Sequence, residues 1–199
     1  MVDSQLQVLG VVGSLNQNSV TRVVIQHAAE ALTEVGCHVD IFDPVKEHLP
    51  LFNPDSSYSA TGYSTLQKRV AAADVFLLGT PDYHGSISST LKNFLDHFWQ
   101  EFTGKLFATV VSSHEKGLTV TDQLRTVARQ CYAWSLPYGV SFVDREDVKE
   151  GAVSSEVLLR RLEMLAHDIK HYGCLLAEQR LKDLNGNEPG FMARHRPKK

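Results

Sequence analysis

The chain predicts an α/β fold, a doubly wound parallel sheet of five strands, and three observations carry that prediction. Short apolar runs alternate along the chain with longer stretches whose apolar residues recur at helical spacing. The first run, Leu6–Val12, ends in Gly13 and a loop of hydroxyl and amide side chains at the start of such a stretch. The third run, Val75–Gly79, ends in a segment bracketed by Pro81 and Gly85, and a helical pattern follows it. Alternation of this kind implies parallel strands joined by crossover helices.

The elements follow in order. A strand over Leu6–Val12 leads to a helix over Ser19–Val35, whose stripe is Val23, Val24, Ala28, Ala31, Leu32 and Val35. Ser19 has the residue type preferred for a helix N-cap. A second strand spans His38–Phe42. The proline-rich stretch Asp43–Asp55 then reads as irregular, and loops of that length often serve as lids or interface segments. A helix over Ser64–Ala73 precedes the buried third strand, Val75–Gly79, and a helix over Ser88–His97 follows it. Next come a strand at Leu106–Ser112, a helix at Thr119–Cys131, a strand at Trp134–Val140 and a helix at Val153–Glu178. Residues 1–180 read as one domain, and residues 181–199, rich in turn formers and basic residues, as a frayed tail.

With right-handed crossovers, 2-1-3-4-5 is a natural doubly wound order for these strands, with the switch point between strands one and three. Ligands of open α/β sheets bind outside the carboxyl ends of the strands at that point. The loops after Val12 and Gly79 end those two strands, so loops selected for their chemistry converge in space.

Each loop has a distinct chemistry. Free N–H groups in the first turn of a helix, with the helix dipole behind them, favour an anion such as a phosphate. Ser14, Ser19 and Thr21 add hydroxyl donors there. The loop lacks a Walker lysine and the three spaced glycines of a dinucleotide fingerprint, which disfavours ATP, GTP or Rossmann-bound NAD. The Pro81–Gly85 segment offers backbone amides, the ring of Tyr83 and the imidazole of His84, a platform for a flat, polar-edged heterocycle.

Together these segments resemble the NADPH-dependent FMN reductase family, flavodoxin-like enzymes that include azo, quinone and chromate reductases. Gly13-Ser14-Leu15-Asn16, Ser19 and Thr21-Arg22 match the family's first loop. Pro81-Asp82-Tyr83-His84-Gly85-Ser86 with Leu91-Lys92-Asn93 and Asp96 matches its second motif closely. The resemblance implies a flavodoxin-like fold with FMN bound by Ser14, Asn16, Ser19, Val20 and Thr21 at the phosphate. It implies Pro81, Asp82, Tyr83, His84 and Gly85 at the ring, with Ser112 and Ser113 beside them. NADPH or NADH is the implied electron donor, and a quinone, azo compound, metal oxyanion or free flavin the acceptor, in a ping-pong cycle without a covalent nucleophile. A homodimer or homotetramer is implied as well. Three departures stand out: Asn16 where the family usually has arginine, His84 where it has asparagine, and the bulkier, charged Ser112–Gly117 segment. Among the cations Arg22, Lys105, Lys116 and Arg125, Lys116 is the first choice to meet an NADPH 2′-phosphate. A flavodoxin-like FMN electron carrier or redox sensor is the alternative, and the small net charge argues against it.

Composition narrows the classes further. With 199 residues, 43% hydrophobic content and a net charge of −3, the chain holds one substantial core and shows no global attraction for nucleic acid or an anionic membrane. Cys37, Cys131 and Cys174 are odd in number and widely spaced, so they are no disulfide framework. The apolar run near the N-terminus is too short for a signal peptide or a membrane span. A reducing, cytoplasmic setting is expected. His167 and His171 lie four apart but lack an acidic or thiol partner at matching spacing, so no metal site is expected.

Overall fold

The structure is a computed structural model that describes residues 5–196. Its strands are β1 (Gln7–Val12), β2 (His38–Phe42), β3 (Val75–Tyr83), β4 (Ser86–Ile87), β5 (Leu106–Ser112), β6 (Trp134–Ser135), β7 (Val140–Phe142), β8 (Val148–Lys149) and β9 (Ala152–Val153). Its helices are α1 (Val20–Glu34), α2 (Tyr63–Ala72), α3 (Ser89–Asp96), α4 (Leu118–Gln130) and α5 (Glu156–Asn185). The main sheet runs β2-β1-β3-β5-β6, all parallel, with β7 parallel to the far end of β5. This is the expected order. Its two faces are covered by separate apolar clusters, one built on α1 and α5, the other on α2, α3 and α4.

The sheet has seven strands instead of five. One addition is β4, which turns back antiparallel on the end of β3. The other comes from the expected strand Trp134–Val140, which is split into β6 and β7. Pro137, lacking an N–H, interrupts the ladder between them. Gly139 then passes so close to β5 that a Cβ there would lie 2.5 Å from Thr109 Oγ1. Arg161 of α5 donates to the Gly139 and Ser141 carbonyls at 3.1 and 3.0 Å, so that the interrupted segment keeps its partners.

The last helix also differs from its expected span. Val153 belongs to the β8–β9 hairpin, and the helix begins after Ser155, whose hydroxyl accepts from Leu158 N at 3.3 Å. It then continues to Asn185, beyond the expected end at Glu178. The described tail is folded and not frayed: Phe191–His195 form a 3-10 turn in which Met192 is 2% exposed. Residues 197–199 of the expected tail lie outside the described residues. Of the Phe98–Trp99 pair, the first packs in the core and the second is exposed. No described helix is long and apolar enough to cross a membrane.

Candidate functional site

The Gly13–Ser19 loop and the β3–β4 hairpin meet at the carboxyl edge of β1 and β3. Two glycines permit the approach. Gly13 N donates to Gly79 O at 2.8 Å, and a Cβ on Gly13 would sit 2.4 Å from that same oxygen. Ser88, 2% exposed, locks the contact: its hydroxyl donates to Gly13 O at 2.6 Å and accepts from Leu91 N at 3.0 Å. Its own amide donates to Thr80 Oγ1 at 3.0 Å. One serine therefore caps α3 and joins both loops.

Arg22 shapes the first loop. Its Nη1 donates to Asn16 O at 2.7 Å and Gln17 O at 3.0 Å, and Nη2 to Ser14 O at 3.4 Å. Its charge is met by Asp43, the residue after β2, through Nε–Oδ2 at 2.7 Å, with both side chains largely buried. Burial opposes ionisation of Asp43, but hydrogen bonds from Arg22 and from the Val45 amide outweigh it and hold the carboxyl below its usual range. With the loop carbonyls gathered on the guanidinium, the amides of Gln17, Ser19, Val20 and Thr21 make no hydrogen bond among the described residues. Ser14 and Ser19 are 5% exposed and accept from Asn16 N and Arg22 N, each at 3.3 Å, which leaves both hydroxyl protons free. Thr21 is 1% exposed, and its hydroxyl is unpaired among the described residues. Inward carbonyls with unpaired amides and hydroxyls at a helix start fit a phosphate.

The second segment is a hairpin and not the loop the sequence suggests. β3 continues through Pro81, Asp82 and Tyr83, and Pro81 sits beside Ser112 in the register with β5. His84 and Gly85 form the turn at φ 57° and 75°. Both central residues of such a tight hairpin turn lie at positive φ, a region that asparagine, histidine and glycine enter more readily than other residues. Asp82 Oδ1 accepts from Gly85 N and Oδ2 from Ser113 Oγ, each at 2.8 Å. Asp82 and Ser113 thus spend their side chains on shaping the site. Tyr83 (56% exposed) and His84 stand free at its rim, and Ser112 ends β5 beside Pro81.

The sequence reading missed Gln123 of α4. Its Oε1 accepts from Ser86 Oγ and Ile87 N, each at 3.1 Å, and its Nε2 donates to Gly85 O at 3.2 Å. A lone glutamine on a helix carries no local signal of such a contact. Asn93, part of the second motif, accepts from Phe52 N at 2.7 Å and donates to Pro50 O at 3.0 Å, pinning the proline-rich loop to α3.

Three of the four candidate cations are otherwise engaged. Arg22 is paired with Asp43. Arg125 donates to Asp122 and to the Pro137 carbonyl. Lys105 is 1% exposed at the opposite end of β5, where Nζ donates to the Val70 and Ala71 carbonyls at 2.9 and 2.7 Å. Lys116 is exposed in the loop after β5, at φ 63°, and has no partner among the described residues.

A sheet in this order with its ligand loops at the switch point defines the flavodoxin-like class of α/β proteins. A family model for NADPH-dependent FMN reductases matches residues 6–147, and the chain belongs to that family. Its FMN and NAD(P)H cofactors are those of the family, and it is an oxidoreductase. The FMN-dependent NADPH-azoreductase of Staphylococcus haemolyticus (strain JCSC1435) is 27% identical over 144 residues, covering 68% of this chain and 76% of the relative. The enzyme of that description from Staphylococcus aureus (strain USA300) is 26% identical over 147 residues, 70% of this chain and 78% of the relative. Among solved structures, FerB, a flavoenzyme NAD(P)H:(acceptor) oxidoreductase from Paracoccus denitrificans, superposes with TM-score 0.71 at 18% identity. That match covers 87% of this chain and 98% of FerB. The apo form of the NADH:FMN oxidoreductase EMOB gives TM-score 0.70 at 18% identity, over 84% of this chain and 90% of that one. At these identities the structures support the fold.

Proposed function

We propose that the site holds FMN between the Gly13–Thr21 loop and the β3–β4 hairpin and passes reducing equivalents from NAD(P)H to a small acceptor in a ping-pong cycle. The observation that carries this is the Ser88–Gly13 bond, which brings an anion cradle and a flat-ring platform to one edge of the sheet. The amides of Gln17, Ser19, Val20 and Thr21 and the hydroxyls of Ser14, Ser19 and Thr21 bind the phosphate. Asn16 acts through its backbone, its carbonyl held by Arg22. Pro81, Tyr83, His84 and Gly85 border the ring, Asp82 and Ser113 brace that border, and Ser112 lies beside it. FMN when bound supplies two-electron chemistry, and the protein orients it and limits access to it.

Tyr83, His84 and Lys116 shape the entrance for the second substrate, with Lys116 placed to meet the 2′-phosphate of NADPH. Acceptors with a planar conjugated system, azo compounds and quinones, suit the open face left beside Tyr83. A homodimer or homotetramer would cover that face. Three free cysteines, two of them buried, accord with a reducing, cytoplasmic setting.

A visible spectrum of the FMN-reconstituted protein tests this reading. Flavin bands that bleach on anaerobic NADPH addition and return with a quinone or azo dye are expected. Flavin bands that NADPH leaves unchanged would mark an electron carrier, and absence of any retained flavin would reject the site.

A further inference from the structure

The edge of the sheet opposite the flavin loops holds a cavity of about 830 Å3, lined by Trp99, Tyr132, Phe191, Arg180, Arg194 and Arg196 among others. It adjoins the start of β5, where Gly104 N donates to Tyr132 O at 2.9 Å. A strand of this length puts it roughly 20 Å from the phosphate loop. The chain's own tail builds one wall. Arg196 donates Nε to Asp183 O at 2.8 Å and Nη2 to Glu188 O at 2.6 Å, closing the segment after α5 back on that helix. Met192 packs over Gly104, where a Cβ would meet its sulfur at 2.9 Å.

The cavity's arginines outnumber its acids, three to one. None of the three arginines pairs with a carboxylate among the described residues. Glu101, the acid on the wall, already accepts from Gln67 Nε2 at 2.8 Å and from Trp99 N at 3.3 Å. Arg180 gives its Nε to Thr103 O at 3.1 Å, which leaves its Nη groups for another partner. Burial foremost, with the charge of Arg180 adding to it and Asp74 and Glu101 opposing, lowers the nearby Lys105 to about 7. Aromatic faces complete the lining. Phe191 stacks on Tyr132 at 6.2 Å and 13°, and Trp99 and Tyr132 are 56% and 50% exposed.

We infer that this cavity is a second ligand site, which takes an aromatic compound of mononucleotide size bearing a phosphate or sulfonate group. Its volume falls within the ordinary range of small-molecule sites, about 300–1,000 Å3. Arginine forks match the oxygens of such anions bidentately, and unpaired arginines in a concave wall concentrate negative solutes. The ring finds Trp99, Tyr132 and Phe191 as stacking partners. The site is separate from the flavin and does not depend on how the flavin turns over.

Calorimetric titration of the FMN-loaded protein with 5′-AMP and with naphthalene-2-sulfonate tests it, with adenosine and inorganic phosphate as controls. The chain's two tryptophans give a second readout for AMP, since Trp99 is on the wall and Trp134 lies against Phe191. Saturable binding of at least one aromatic anion, about tenfold tighter than either control, is expected. The tighter of the two probes identifies a nucleotide or an aryl sulfonate as the natural type. Arg194→Ala should weaken that binding about tenfold, the size of one charge-assisted contact, while NADPH oxidation is unchanged. No saturable binding by either anion overturns the inference. So does binding that Arg194→Ala leaves intact and Lys116→Ala abolishes, which would put the probe on the flavin face.

Discussion

Ser88 Oγ donates to the carbonyl oxygen of Gly13 at 2.6 Å, across 75 positions of sequence. That bond makes two separately encoded loops into one site, and both partners are buried. Removing the hydroxyl leaves the carbonyl without its partner and α3 without its cap. Ser88→Ala should cost about 1–3 kcal/mol in stability by denaturant titration. It should also weaken FMN retention, measured by flavin fluorescence on dilution. Ser155→Ala, which removes a similar cap from α5, should cost stability and spare FMN affinity.

The Arg22–Asp43 pair gives the first loop a pH limit. The carboxyl is depressed below 3.8 in the native state, so its contribution is complete above that value and is lost as pH falls through the lower native one. FMN release should therefore steepen below about pH 4. Asp43→Asn should bring release and a loss of about 3 kcal/mol to neutral pH, because a largely buried guanidinium is left without its carboxylate. Acid titration of flavin fluorescence in both proteins checks this.

Gln123 directs its whole amide group to the β3–β4 hairpin and makes none of the contacts assigned to the phosphate. Gln123→Leu should alter the bound flavin's absorption envelope and midpoint potential while FMN affinity falls less than tenfold. Spectroelectrochemistry measures both. A loss of affinity with an unchanged potential would assign the residue to general stability.

Lys105 predicts a pH effect on stability remote from the flavin. Burial foremost, then the charge of Arg180, bring its ammonium from 10.5 to about 7. The unfolded chain thus binds more protons between those values, and stability should rise with pH across that window. Lys105→Met, which keeps the buried stem, should flatten this part of the curve in urea midpoints taken from pH 7 to 10.

Lys116→Ala should raise KM for NADPH several-fold, with kcat and KM for NADH nearly unchanged, the pattern of lost ground-state binding to one group. Steady-state kinetics with both nucleotides decide it. Equal changes for the two would mean that the loop acts through its shape.

The sequence by itself determined the strand and helix alternation, because apolar spacing is a local property read along the chain. β2 and β5 match their expected spans throughout, and the Ser19 cap precedes α1 as its residue type predicts. It also singled out the two loops that the structure brings together at one edge of the sheet, through their glycine, hydroxyl and amide residues after a strand. Only the tertiary structure decided what each side chain does there. Asp82 reads as a ligand contact in the sequence, yet its oxygens are taken by Gly85 and Ser113, the latter 31 positions away. Arg22 reads as a spare cation, yet Asp43 neutralises it and the loop carbonyls surround it. Gln123 carries no signal at all until α4 is laid against the hairpin. Hydrogen bonds between distant segments depend on the packing of the whole sheet, and no periodicity along the chain records them.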